Sequence, residues 1–215
     1  MNYGMIRAAA ASLRLKVADP TYNKEKIKEA IDCAEQKGTR LIVLPELCVT
    51  GYTCADLFFT KSLQHSAENA LKEIIEYTSG KNIVAAVGMP VPFYNSLYNC
   101  AVVIGNGRIY GIVPKIHLAN YNEFYEKRWF ASGSDFKSCQ NIDFCGFETT
   151  IGPQIFDLGG GAILGLELCE DLWVPSPPSG SLTLGGANII ANLSASDEYV
   201  SKAQYRRDLV SNQSA

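Results

Sequence analysis

Histidine is nearly missing from this sequence, with only His65 and His117 in 215 residues, and the seven cysteines at 33, 48, 54, 100, 139, 145 and 169 form no CxxC pair. Both shortages argue against a zinc site, which needs imidazoles and thiolates at close spacing. Basic runs are also missing, since Lys127-Arg128 and Arg206-Arg207 are the only adjacent pairs and the net charge is -3. Such a chain has no electrostatic grip for nucleic acid. No apolar stretch approaches the ~18 residues a membrane span needs. The opening Met1–Arg7 with Ala8–Ala11 is too short for the apolar core of a secretion signal and lacks a cleavage context. The expected location is the cytoplasm, with most of the thiols reduced, buried and inert. No internal repeat, low-complexity tract or linker divides the chain, so a single domain over residues 1–215 is expected.

What is present fits a globular enzyme-sized unit. A hydrophobic content of 47% against 19% charged residues is ordinary for a globular fold. A domain of this length buries roughly 70% of its unfolded surface, so neither disulfide nor metal is needed to hold it. The pattern predicts a strand over Ile6–Leu15, a helix over Tyr22–Lys37, a strand over Arg40–Pro45 and a helix over Leu63–Tyr77. Strands are then expected at Ile83–Met89, Leu97–Ile104 and Arg108–Val113, the last two joined by a tight hairpin at Gly105-Asn106-Gly107. Ala119–Gly146 is aromatic and irregular and reads as a bundle of loops around a site. A further hairpin is expected from Gly152–Leu158 and Ala162–Leu168. A Pro/Ser/Gly-rich turn then leads to a strand over Ala187–Leu193 and a helix over Val200–Val210. Gly159-Gly160-Gly161 precedes a strand, whereas a phosphate-binding glycine loop follows one and opens a helix. The class is mixed α/β, with helices outside and sheets inside.

Three of these strands stop in the same manner. Arg40–Pro45 runs into Glu46, Arg108–Pro114 into Lys115 and Ala162–Leu168 into Cys169. Singly, each residue has an ordinary structural explanation: a surface carboxylate, a solvated lysine, a core cysteine. Together they supply a nucleophilic sulfur, a base to deprotonate it and a cation for an oxyanion. A Cys169/His117 pair of the cysteine-protease kind fits less well. His117 lies two residues beyond Lys115, so in an extended segment it points the same way, and Glu46 is left without a task.

Val43-Leu44-Pro45-Glu46, Pro114-Lys115-Ile116-His117-Leu118 and Leu168-Cys169-Glu170-Asp171 resemble the Glu, Lys and Cys motifs of the nitrilase, or carbon-nitrogen hydrolase, superfamily. Within it, Thr50–Phe58, Asn120–Phe130, Cys169–Trp173 and Asn192–Ser196 are similar to the N-terminal glutaminase domains of glutamine-dependent NAD synthetases. The resemblance implies an α-β-β-α four-layer sandwich in which Glu46, Lys115 and Cys169 converge. It also implies hydrolysis of the L-glutamine side-chain amide through a Cys169 thioester. Lys115 and the Glu170 backbone N–H would hold the oxyanion, and Glu123, eight positions after Lys115, would stand as the second glutamate that orients the lysine or the leaving nitrogen. Tyr52, Tyr121, Phe124, Glu170, Ser196 and Lys202 would line the glutamine pocket, Glu170 facing the ammonium and Ser196 and Lys202 the carboxylate.

By the same resemblance the domain itself uses no cofactor and no metal. ATP and magnesium would serve a synthetase domain that receives the ammonia, and a homo-oligomer is implied. That synthetase domain, with its nucleotide loop, and the end of the sandwich are not in this sequence, so the amidase unit is expected to be incomplete. A stand-alone amidase or N-carbamoyl hydrolase would use the same three residues. A non-catalytic interaction module stays open beside them.

Overall fold

A computed structural model describes residues 5–215. The first part of the secretion-signal reading, Met1–Gly4, lies outside the described residues. In chain order the elements are β1 (Ala8–Ala10), α1 (Pro20–Gln36), β2 (Leu41–Val43), α2 (Lys61–Tyr77), β3 (Val84–Phe93), β4 (Ser96–Gly105) and β5 (Arg108–Pro114). They continue with α3 (Glu126–Trp129), β6 (Gln140–Phe144), β7 (Phe147–Ile151), β8 (Ile155–Asp157), β9 (Ile163–Leu168), α4 (Pro178–Leu184), β10 (Ile189–Leu193) and α5 (Lys202–Gln213).

The long helices begin and end where the chain chemistry demands. Asp19 accepts a hydrogen bond from the Tyr22 N–H at 2.9 Å and Pro20 takes the first turn of α1, which then buries Ile27, Ile31 and Ala34 at helical spacing. Thr60 caps α2, whose Leu63, Ala67, Ala70, Leu71, Ile74 and Ile75 form its buried stripe. Both stripes pack on one face of a seven-stranded sheet ordered β1-β2-β3-β4-β5-β7-β6. The opposite face of that sheet, through Leu41, Ala86, Ala101, Val103 and Val113, packs on Phe156, Leu164, Leu166, Leu168, Ala191 and Leu193 of a three-stranded sheet ordered β10-β9-β8. With α4 outside that smaller sheet, the layers run α-β-β-α. Residues on both faces of β3 and β4 are buried, as central strands between two layers require.

The β3-β4-β5 meander is antiparallel and β9 pairs antiparallel with β8, as expected. Other boundaries differ. The strand read over Ile6–Leu15 shrinks to Ala8–Ala10, because only these residues lie alongside β2; the chain beyond turns toward the Glu46 loop, where the Ala18 N–H meets the Thr50 carbonyl at 2.7 Å. The aromatic stretch read as loops contains α3 and the strand β6, which pairs with β7 across a turn at Cys145-Gly146, both with positive φ. Pro178–Leu184, part of the stretch between β9 and β10 for which no helix was expected, forms helix α4.

Two glycines set the loops that carry the site. A Cβ on Gly88 of β3 would lie 2.4 Å from the Pro45 carbonyl oxygen and 2.5 Å from the Leu47 nitrogen, so the Glu46 loop rests directly on the strand backbone. A Cβ on Gly133 would lie 2.7 Å from the Pro114 carbonyl oxygen, and the Gly133 N–H instead donates to the Lys115 carbonyl at 2.7 Å.

Candidate active site

Glu46 follows β2 and is 1% exposed; Lys115 follows β5 and is fully buried; Cys169 follows β9 and is 4% exposed. The Lys115 ammonium donates to Glu46 Oε1 at 2.6 Å, and Asn99 Nδ2 donates to the same oxygen at 2.7 Å. The other Glu46 oxygen accepts the Ala195 N–H at 3.1 Å, from the segment leaving β10. Asn99 reaches both partners, because its backbone carbonyl also accepts the Lys115 N–H at 2.8 Å.

Lys115 has a second carboxylate partner, and it is Glu126 rather than Glu123. The ammonium donates to Glu126 Oε1 at 2.7 Å across eleven residues of sequence, and Glu126 is fully buried. Glu123 is exposed and lies beside Asp197. The reason is local: Asn122 takes a left-handed φ of 49°, and the turn it makes spends the intervening residues before the Glu126 N–H pairs with the Ala119 carbonyl and α3 begins. The two glutamates stand three apart, and the pattern of charges alone does not choose between them.

Burial pulls the Lys115 ammonium down, but the Glu46 and Glu126 carboxylates bonded to it outweigh burial and raise its pKa, so it stays protonated. Glu126 is raised by burial and by Glu46, with Lys115 opposing. Burial, and then Glu46, push the Cys169 thiol up, only partly countered by Lys115. The resting sulfur is therefore a thiol, and it needs a base at the moment of attack. The backbone presents it on a turn: Cys169 has φ of 43°, a left-handed conformation that an L-residue adopts at a cost of about 1–2 kcal/mol, and its N–H is held by Asn192 Oδ1 at 3.1 Å.

The expected recognition residues fall into two groups. Tyr52 donates to Glu126 Oε1 at 2.6 Å and meets Phe124 edge-on at 6.1 Å between ring centroids. Phe124 meets Tyr121 at 5.6 Å, and the Tyr121 hydroxyl donates to Glu170 at 2.8 Å. Tyr52, Phe124, Tyr121 and Glu170 thus form one wall leading outward from the charged cluster. Ser196 and Lys202 form the other group, around Asp197: the Ser196 hydroxyl donates to the Asp197 carbonyl at 3.4 Å, and the Lys202 ammonium pairs with the Asp197 carboxylate. Lys202 also lies 5.3 Å from the centre of the Trp173 ring. Lys202 is therefore not a free cation, which the expectation of a carboxylate-facing lysine had left out. Asn99, Glu126, Asn192 and the Ala195 N–H escaped the sequence reading. Glu126, Asn192 and Ala195 lie inside segments that carry the family resemblance, and Asn99 left its own signal as one amide inside the apolar strand Leu97–Ile104.

All seven cysteines are free; Cys48, Cys54, Cys100 and Cys169 are buried, a bare majority, whereas Cys33 and Cys139 are exposed and Cys145 is half-buried. Among the described residues no helix is long and apolar enough to cross a membrane.

A two-sheet sandwich that brings a carboxylate, an ammonium and a thiol from three strand ends into one buried cluster has the parts for thiol attack on a carbonyl carbon. Comparison with known proteins agrees with that class. The carbon-nitrogen hydrolase family model matches residues 7–215, and the chain belongs to that family. It is 34% identical over 217 residues to the glutamine-dependent NAD(+) synthetase of Mycobacterium tuberculosis, covering 100% of this chain and 32% of that protein. A glutamine-dependent NAD(+) synthetase structure from Cytophaga hutchinsonii superposes with a TM-score of 0.84 at 28% identity, over 97% of this chain and 33% of the other. An amidase structure from Nesterenkonia sp. shares the fold, with a TM-score of 0.71 at 20% identity over 92% of this chain and 68% of the other. The chain thus spans about a third of the length of the NAD(+) synthetases it matches, and its architecture is that of the nitrilase-like sandwich.

Proposed function

We propose that this chain hydrolyses the side-chain amide of L-glutamine and delivers the ammonia to a synthetase domain that amidates deamido-NAD to NAD. The observation that carries the proposal is the buried Glu46-Lys115-Glu126 cluster, whose charges act on a Cys169 held in a left-handed turn. In the proposed reaction, Glu46 takes the Cys169 proton as the sulfur attacks the carboxamide carbon. The Lys115 ammonium and the Glu170 backbone N–H hold the oxyanion; the Cys169 N–H is already engaged by Asn192. Collapse of the intermediate breaks the carbon-nitrogen bond, the Glu46 carboxyl returns its proton to the leaving nitrogen, and ammonia departs from a thioester. Water, deprotonated by Glu46, then cleaves the thioester to glutamate and restores the thiol.

Glu126 orients Lys115, and Tyr52 fixes Glu126 in turn. Glu170 receives the substrate ammonium beside Tyr121 and Phe124. Ser196 and Lys202 receive its carboxylate, with Lys202 exchanging Asp197 for it. Neither metal nor cofactor takes part in this half of the reaction; ATP and magnesium belong to the synthetase domain. We place the reaction in the cytoplasm. Helix α5 and its lead-in, where Tyr199, Val200, Tyr205 and Val210 are exposed and no side chain of the helix is buried, support association of copies into a homo-oligomer. The test is NAD formation by the intact protein from glutamine or from ammonium salts: Cys169→Ala should abolish the first and leave the second. Retained glutamine-dependent turnover would refute the nucleophile.

A further inference from the structure

We infer that Asp171 is a positioning residue that locks the turn carrying Cys169 to the segment carrying Lys115, and so fixes the distance between nucleophile and oxyanion donor. Asp171 is 1% exposed, and its two oxygens go to the last residue of one strand and to the segment that follows another. Oδ2 accepts the Leu168 N–H at 3.0 Å, one residue before Cys169. Oδ1 accepts the His117 N–H at 2.7 Å, two residues after Lys115. Leu168 ends β9 in the three-stranded sheet, and His117 follows β5 in the seven-stranded one. Apolar side chains make most of the contact between the two sheets, and such contacts resist sliding only by shape. A carboxylate holding one N–H on each side adds a directional tie at the point where the two reacting groups meet.

Burial of this carboxylate is unfavourable in itself. Desolvation pushes its pKa up to about 6, with the Leu168 and His117 N–H groups, the nearby Lys115 charge and the Ile116 N–H opposing; the Lys115 ammonium itself is bonded to Glu46 and Glu126. A buried anion whose nearest cation is bonded to two other carboxylates is weak ground for stability, so its value lies in geometry. The neighbouring Cys169 gives that geometry a use, because a left-handed backbone holds only where its surroundings over-determine it. No proton step requires Asp171.

The inference rests on the proposed reaction only for its kinetic arm, so the experiment has two arms. In the intact protein, Asp171→Asn puts an NH2 where one backbone N–H needs an acceptor, and keeps the shape. Turnover of glutamine per folded site should fall by about 100-fold with KM within about 3-fold, since misplacement by an ångström has that effect. Alkylation of Cys169 by iodoacetamide without glutamine should slow by about 10-fold. Ile74→Val, in the helix-facing core away from the site, is the control for lost stability and should leave both rates per folded site unchanged. Unchanged rates in Asp171→Asn, or rates lowered equally in Ile74→Val, would overturn the positioning role. Should Asp171→Asn not fold, Asp171→Ser is measured in the same way, and failure of both to fold would assign the residue to stability instead. Slower alkylation in a protein whose wild type does not cleave glutamine would retain the positioning role and reject the reaction.

Discussion

The inner cluster and the outer rim of the site handle charge in opposite ways. Inside, Glu46, Lys115 and Glu126 are at most 1% exposed, and Lys115 bonds both carboxylates at 2.6 and 2.7 Å. Outside, Tyr121 is 49% exposed, and Lys202 pairs with a carboxylate that is one-third exposed. A buried charge without its partner is severely unfavourable, so the inner groups hold one another in a single arrangement. At the rim the Asp197 carboxylate is open to water although the Lys202 side chain is only 10% exposed, so this pair can change partners at lower cost than the inner ions, as the proposed zwitterionic substrate requires.

The sharpest way to break this contrast is to remove the inner cation. Lys115→Met is expected to lower turnover at least ~100-fold through loss of an oxyanion donor, and to destabilise the fold by about 3–5 kcal/mol as two buried carboxylates lose their shared partner. Steady-state kinetics and denaturant unfolding read the two effects, and a variant that keeps wild-type stability would show that the carboxylates do not depend on the lysine. Glu126→Gln should lower kcat by about 10- to 100-fold with little change in KM, because the lysine loses a charged partner but keeps Glu46. An equal effect from Glu123→Gln would restore the glutamate that the structure sets aside.

A smaller effect concerns acid stability. The Asp171 carboxyl stands at about 6 against 3.8 for an unburied aspartate. A raised folded-state pKa contributes stability that is fully present below about pH 4 and is lost as pH rises through 6. Asp171→Asn has no proton to release, so relative to wild type it should gain up to about 3 kcal/mol between pH 4 and pH 7. Parallel unfolding curves at the two pH values would contradict the buried-anion description. The smallest change belongs to the rim: Lys202→Ala should raise KM for glutamine by about 10-fold with kcat within about 2-fold, the pattern of uniform binding lost. A fall in kcat instead would move Lys202 into the chemistry.

The three strand-end residues were legible in the sequence because a strand that stops abruptly at a polar residue leaves a mark in the hydrophobic pattern. Glu126 was not: asparagine at 122 permits the left-handed turn, but nothing in the local sequence says which of the two glutamates that turn sends back to Lys115. The β6-β7 hairpin was hidden by its turn, where Cys145 takes a conformation that asparagine or aspartate would have advertised. Strand β1 was over-read because an apolar run records burial and not pairing, and past Ala10 the chain packs on the core while leaving the sheet. Asp171 was visible as the second acid after Cys169, but its two partners come from separate sheets, and only the folded chain brings them together.

The central claim is that Cys169 attacks glutamine from within the inner cluster. Its most direct test is to treat the intact protein with an electrophilic chloroketone analogue of glutamine and map the adduct by peptide mass spectrometry. The account predicts one label, on Cys169, prevented by glutamine and accompanied by loss of glutamine-dependent but not ammonia-dependent NAD formation. Labelling confined to the exposed Cys33 or Cys139, or a label on Cys169 that glutamine does not prevent, would contradict it.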